Sequence, residues 1–178
     1  AANDENMNYI YTLAKLLRIS DTSFIKSMNS FVGLPHRHEI FLKKGGITFI
    51  NDSKATSFQS SRFALASSKN IYWIVGGLPK EKDKIDFKNI KNNITKSYII
   101  GKNISFFKKQ LKNKVKFTIK KTLRNAVISI LKEIKLSNKI NNVILLSPGA
   151  ASFDQYKNFE NRGNEFKKLS KLYAKKFI

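Results

Sequence analysis

The chain has 178 residues, one ordinary domain and a short remainder, and its 42% apolar content suffices for a real core, which excludes a mainly disordered protein. No stretch reaches the roughly 18 to 20 uninterrupted apolar residues of a membrane span, none with signal-peptide character opens the sequence, and zero cysteines exclude disulfides and thiolate chemistry. The net charge of +22 suits a polyanion partner, yet 29 Lys against 5 Arg, with 18 Asn and 21 Ile, is the skew of A/T-rich codons, and nucleic-acid readers lean on arginine.

Residues 1 to 34 read as two helices. Ile10, Leu13, Ala14 and Leu17 share one face, Ser20 and Asp21 supply cap chemistry, and Phe24, Ile25, Met28 and Phe31 form a second stripe. Gly33 and Pro35 end the pattern, and a two-helix piece is too small to be a domain alone. From His38 the pattern turns to strands, at 38–42 and 46–51, around the hairpin sequence Lys43-Lys44-Gly45-Gly46. Helices are expected over 57–68, 86–92, 104–112, 122–136 and 158–176, and strands over 71–75, 97–100, 115–119 and 143–146. Short apolar strands alternating with helices predict an α/β fold: a wound, mostly parallel, Rossmann-like sheet with helices on both faces and an N-terminal hairpin strand.

In such sheets ligands gather at the carboxyl ends of the strands, where four loops stand out. The first, Asn51-Asp52-Ser53-Lys54-Ala55-Thr56, would hold a phosphate or carboxylate on free helical N–H groups, or would simply cap the next helix. The second, Gly76-Gly77-Leu78-Pro79-Lys80, lets backbone approach a ligand with Lys80 as a point charge. The third is Ile100-Gly101-Lys102, and the fourth runs from Ser147-Pro148 to Ser152, with Ser152 and Gln155 at capping-box spacing. His36 and His38, with no third histidine and no cysteine, do not make a zinc site. Arg37, one of five arginines, has the planar fork that suits a phosphate or a purine face. No G-x-S-x-G elbow, Walker loop or complete G-x-G-x-x-G is present, so no autonomous catalytic centre is expected.

Taken together, Gly33-Leu34-Pro35-His36-Arg37-His38-Glu39, Phe49-Ile50-Asn51-Asp52-Ser53-Lys54-Ala55-Thr56, the Gly76-Gly77 loop, and Leu145-Leu146-Ser147-Pro148 through Ala151-Ser152-Phe153-Asp154-Gln155 resemble the Mur ligases. The run Asn158-Phe159-Glu160-Asn161-Arg162-Gly163-Asn164-Glu165-Phe166 is similar to the branch that adds D-glutamate. The resemblance covers essentially the whole chain. It implies that residues 1–34 are the tail of a central ATP-binding domain and 35–178 a complete C-terminal Rossmann-like domain. The family's phosphate loop, its modified lysine that helps hold magnesium and its central-domain histidine would lie upstream, so the chain is expected to be a fragment, inactive by itself, with no catalytic or metal-binding residue of its own.

The reaction implied is ATP-dependent amide formation in cytoplasmic peptidoglycan precursor synthesis, with Mg2+: the carboxylate of UDP-N-acetylmuramoyl-L-alanine becomes an acyl phosphate, which the amine of D-glutamate attacks. By resemblance, Asn8 matches a position near the adenine, Arg37 and Asp52 match nucleotide contacts of the closed enzyme, and Lys54 a lysine near the phosphates. Thr56, Lys80, Ser152 and Phe159 match positions around D-glutamate. The implied enzyme is a monomer acting on small molecules, without nucleic acid or membrane. Asp4-Glu5 stand where the family usually shows His-Asn, and Leu78-Pro79 where some members carry an acidic residue and glycine. Two other readings stay open: a sibling ligase for another amino acid, and a non-catalytic basic domain binding nucleic acid or anionic lipid, favoured if the lysines cluster on one face.

Overall fold

The structure is a computed structural model that describes residues 2–137 and 139–178, with side chains from Asn6 onward except at 138. The Asp4-Glu5 side chains therefore lie outside the described residues. Backbone packing divides the chain after Gly33 into two compact units.

The first unit holds α1 (Ala2–Leu16) and α2 (Asp21–Ser30). Ser20 caps α2, its Oγ accepting the Ser23 N–H at 3.2 Å. Tyr11 meets Phe24 edge to face at 5.2 Å, and Lys15 pairs with Asp21 at 2.7 Å. The expected stripes do form helices, but within this unit they cover little: Ala14 is buried, whereas Ile10, Leu13, Leu17, Ile25 and Phe31 are exposed. Two short helices offer each other too small a face to bury both stripes.

The second unit runs from Leu34 and contains β1 (Glu39–Lys44), β2 (Ile47–Asn51), α3 (Phe58–Ala66), β3 (Ile71–Gly76), a single 3-10 turn at Lys91–Asn93, β4 (Ile94–Ile100), α4 (Ile104–Leu111), β5 (Phe117–Lys121), α5 (Leu123–Lys135), β6 (Asn142–Leu146) and α6 (Phe159–Phe177). The six strands form one sheet in the order β1-β2-β6-β3-β4-β5, parallel except for the β1–β2 hairpin. This is the expected wound α/β, Rossmann-like sheet.

Alternation along β3 shows how the sheet is covered on both sides. Tyr72 and Ile74 face α5 and α6, in a core with Ala126, Val127, Ile130, Phe166 and Leu169. Ile71, Trp73 and Val75 face α3 and α4, packing with Phe58, Leu65, Phe107 and Leu111. The amphipathic α5 follows from Leu123, Ala126, Val127, Ile130, Leu131 and Ile134 at helical spacing, with the Thr122 side chain accepting the Asn125 N–H at its start.

Three expectations need correction. The helix expected over 86–92 is reduced to the 3-10 turn, because Asn89 adopts a left-handed φ of 66° that no α-helix accommodates. The strand expected at 115–119 sits at Phe117–Lys121, after a turn with Asn113 at φ 61°. The expected strand 97–100 starts earlier, at Ile94.

Candidate functional site

β2, β6 and β3 are neighbours, so the loops leaving their carboxyl ends lie side by side. Backbone hydrogen bonds lace them together. Asp52 N–H donates to Leu146 C=O at 2.8 Å, Gly149 N–H to Ala55 C=O at 3.1 Å, and Gly76 N–H to Pro148 C=O at 3.0 Å. Leu78 and Ala151 exchange both of their bonds, at 2.8 and 3.0 Å. Three loops far apart in sequence thus form one edge, and Leu78-Pro79 is anchored to the fourth loop rather than hanging free.

Asp52 sits at the root of this edge, 8% exposed. Its carboxylate accepts the Ser147 hydroxyl at 2.7 Å and the His38 N–H at 3.1 Å. Burial pushes the carboxyl up to about 6, against the opposing pull of Ser147, the His38 amide and the Arg37 charge. Ser147 is itself held from behind, since its carbonyl accepts the Trp73 indole N–H at 2.7 Å.

Lys54 and Phe159 come together: the ammonium lies 4.0 Å from the ring centroid, a cation–π contact, and Lys54 N–H donates to His36 C=O at 3.0 Å. Ser53 Oγ donates to the Phe159 carbonyl at 2.8 Å, tying the first loop to the start of α6. Thr56 is half-buried beside the Ala55–Gly149 bond, and the buried Ser152 follows the Leu78–Ala151 pair. Lys80 is exposed two residues beyond Leu78. Its loop is fastened by Asp83, whose carboxylate accepts the Phe58 N–H at 2.9 Å. Arg37 is exposed on the turn before β1, near enough to Asp52 to lower its pKa by charge. Asn8 is exposed in the first unit. Of the eight residues, the structure gathers Asp52, Lys54, Thr56, Ser152 and Phe159 on interlocked loops, with Arg37 and Lys80 on attached turns.

Both expected helix-terminus roles change. Neither Asn51, Asp52 nor Ser53 caps α3: Ser57 does, in a capping box with Ser60, and Asp83 takes the Phe58 N–H. The N–H groups behind the first loop are thus largely committed. Ser152 and Gln155 form no helix cap either. The Ser152 carbonyl accepts the Gln155 and Tyr156 N–H groups in a turn, the Gln155 side chain donates to Lys121 C=O, and Asn158 caps α6.

His36 is buried, with Nδ1 2.9 Å from the Asn51 amide nitrogen and its backbone N–H on Glu39. Burial lowers the pKa of both His36 and His38, keeping them neutral. No group of three His, Asp or Glu side chains able to hold a metal ion occurs among the described residues. No helix among them is long and apolar enough to cross a membrane. Arg37, Lys54 and Lys80 place cations at or beside this edge. A separate surface cavity of about 720 Å³ lies at the opposite, amino ends of the strands, among Lys91, Lys96, Lys114, Lys116 and Lys139, with Lys96 paired to Glu133 at 2.7 Å.

Sequence reading missed four supports of the edge: Ser53, Asp83, Ser147 and, above all, Arg162, a 1%-exposed arginine bonded to Ser53 and Ala150. A signal was present. In a chain of 29 lysines and 5 arginines, Arg162 is one of the few side chains with a planar fork able to make several bonds at once.

No family model matches the chain. Curated relatives do. The UDP-N-acetylmuramoylalanine--D-glutamate ligase of Wolbachia sp. subsp. Brugia malayi is 39% identical over 93% of this chain and 33% of its own length. That of Rickettsia felis is 38% identical over 97% of this chain and 38% of its own length. That of Agrobacterium fabrum is 40% identical over 83% and 32% respectively. The chain therefore spans about a third of the length of the curated relatives it matches. Over nearly all of that span it is homologous to the C-terminal portion of the UDP-N-acetylmuramoylalanine--D-glutamate ligases, and so to the Mur ligase family.

Proposed function

We propose that the chain is the amino-acid-capturing part of an ATP-dependent ligase that joins D-glutamate to UDP-N-acetylmuramoyl-L-alanine. The observation that carries this reading is the similarity, over more than nine tenths of the chain, to ligases named for that reaction. The site geometry supports it: an amino acid with two carboxylates needs two separated anion sites, and the edge offers the Lys80 ammonium on one turn and Thr56 and Ser152 on the interlocked loops beside it. Phe159, braced by Lys54, walls the same edge.

In the proposed cycle the muramoyl-L-alanine carboxylate takes the terminal phosphoryl group of ATP, leaving ADP and an acyl phosphate. The D-glutamate nitrogen then attacks the acyl carbon, phosphate departs, and the amine loses a proton as the amide forms. The chain's own contribution is to bind and aim the amine, and to bring Arg37 and Lys54 against nucleotide phosphates when the enzyme closes. Asp52, with both oxygens already engaged, serves the nucleotide mainly by fixing the first loop beside it. Asn8 would meet the adenine. Mg2+ would offset phosphate charge when bound, and its ligands are proposed to lie in the central ATP-binding domain.

The first unit is proposed as the tail of the central ATP-binding domain. Its exposed Ile10, Leu13, Leu16, Leu17 and Phe31 suit a helix pair that packs on a larger body. Alone, the chain should fold through its second unit and hydrolyse no ATP.

In the whole enzyme, D-glutamate should slow amide exchange at 54–56, 78–80 and 151–153, with no comparable effect of L-glutamate. Protection by another amino acid, with none by D-glutamate, would assign the chain to a sibling ligase.

A further inference from the structure

We infer that Arg162 is the positioning residue of the ligand edge, a buried fork that holds the loops after β2, β3 and β6 in register with the start of α6; this rests on the D-glutamate reading above. Arg162 lies one turn after Phe159 on α6 and is 1% exposed. Its Nε donates to Ser53 Oγ at 3.0 Å, and its Nη2 donates to Ser53 C=O at 2.8 Å and to Ala150 C=O at 3.0 Å. Its Nη1 has no hydrogen-bond partner among the described residues and lies against Gly77, where an added Cβ would come within 3.2 Å of it.

One guanidinium therefore bonds two loops and lies beside a third. Ser53 stands between Asp52 and Lys54, Ala150 leads into Ser152, and Gly77 begins the loop that carries Lys80. Ser53 passes the connection back to the carbonyl of Phe159, closing a circuit through the residues proposed to face the ligand. Burial pulls the pKa of Arg162 down to about 10, opposed by the charge of Asp154, so the cation persists at neutral pH. A buried cation is costly, and an apolar residue would fill the space without that penalty. A lysine ammonium could at best replace Nη2 on the Ser53 and Ala150 carbonyls; it has no second, rigidly placed nitrogen for the Ser53 hydroxyl that Nε holds, nor a planar edge to lie beside Gly77. Arg162 touches no reacting atom, so its effect reaches the ligand only through the loops.

The test compares Arg162→Lys and Ser53→Ala in the whole enzyme with wild type. KM for D-glutamate should rise roughly 10- to 100-fold in R162K, the size of effect that a small misplacement of binding groups produces, and by a smaller factor in S53A. KM for the UDP-linked substrate should stay within twofold. Without any ligand, amide exchange in R162K should speed up at 52–56 and 149–152 while α5 keeps its protection. A lowered melting temperature with unchanged KM, or exchange that rises evenly through the sheet, would overturn the inference. A wild-type enzyme that does not use D-glutamate would sink the proposed function instead, and the ligand-free exchange arm would still decide the role of Arg162.

Discussion

Replacing Gly76 by alanine is expected to remove about 3–5 kcal/mol of stability from the second unit, a large share of the 5–15 kcal/mol typical of a domain. Two costs combine. Gly76 ends β3 at φ 138°, a backbone region closed to residues with a side chain, and such strain costs on the order of 1–3 kcal/mol. A Cβ there would also overlap the carbonyl oxygen of Ile100 and stand 2.8 Å from its carbon. That carbonyl belongs to the neighbouring strand, paired with Gly76 in the β3–β4 register, so it cannot swing aside as a side chain would. Overpacking of this kind adds roughly 1–3 kcal/mol.

Urea unfolding read by the fluorescence of Trp73, the single tryptophan and fully buried on the same strand, measures the loss directly. The comparison variant is Gly46→Ala in the hairpin turn, where φ is 70° but no atom lies within 4 Å of the added carbon. It should lose only about 1–2 kcal/mol, the left-handed penalty alone. Equal losses for G76A and G46A would mean that the strand-end contact is not rigid, and with it the placement of the Lys80 loop.

Asp52→Asn should abolish a pH dependence that wild type shows between about pH 4 and 6. The folded-state pKa of Asp52 is raised to about 6 from its ordinary value of 3.8, so in this window the native state holds a proton that the unfolded chain has lost. Stability from this group is therefore complete below the unfolded pKa and falls as pH rises through the folded one, by about 3 kcal/mol for a shift of about two units. Glu39 runs the opposite way: although burial pushes it up, it ends below its usual value because the His36 N–H and Lys167 hold it ionised. The difference between wild type and D52N across pH isolates Asp52. Asparagine can retain both contacts, accepting from the His38 N–H and donating to Ser147 Oγ, so D52N should be the more stable protein at pH 7–8. A wild-type minus D52N difference that stays flat with pH would contradict the burial argument.

Much of this fold was legible because its signals are local. The run Ile71–Val75 is continuously apolar and β-branched or aromatic, the mark of a strand covered on both faces, and the helical face of α5 follows from its spacing. The antiparallel hairpin followed from paired glycines. Loop chemistry was less legible. Ser152 and Gln155 have capping-box spacing, but that spacing also fits a turn, and the helix waits for Asn158. In α1 and α2 the periodicity revealed apolar faces without revealing what covers them, since amphipathicity belongs to the helix and burial to its neighbours. Arg162 escaped for a different reason: its partners Ser53 and Ala150 lie at separations of 109 and 12 residues, and nothing in the text of either segment marks the contact. Topology alone brings them together, through β2 and β6 pairing in parallel at the sheet's centre.

In the proposed function, this edge of the sheet selects D-glutamate for ligation. Phosphate release by the whole enzyme, with ATP, Mg2+ and UDP-N-acetylmuramoyl-L-alanine present, tests it most directly when a panel of D- and L-amino acids is supplied one at a time. Turnover is expected with D-glutamate, little with L-glutamate or D-alanine, and a raised KM for D-glutamate alone when Lys80 is replaced by alanine. Turnover supported by another amino acid and not by D-glutamate, or a Lys80→Ala enzyme with unchanged KM, would contradict it.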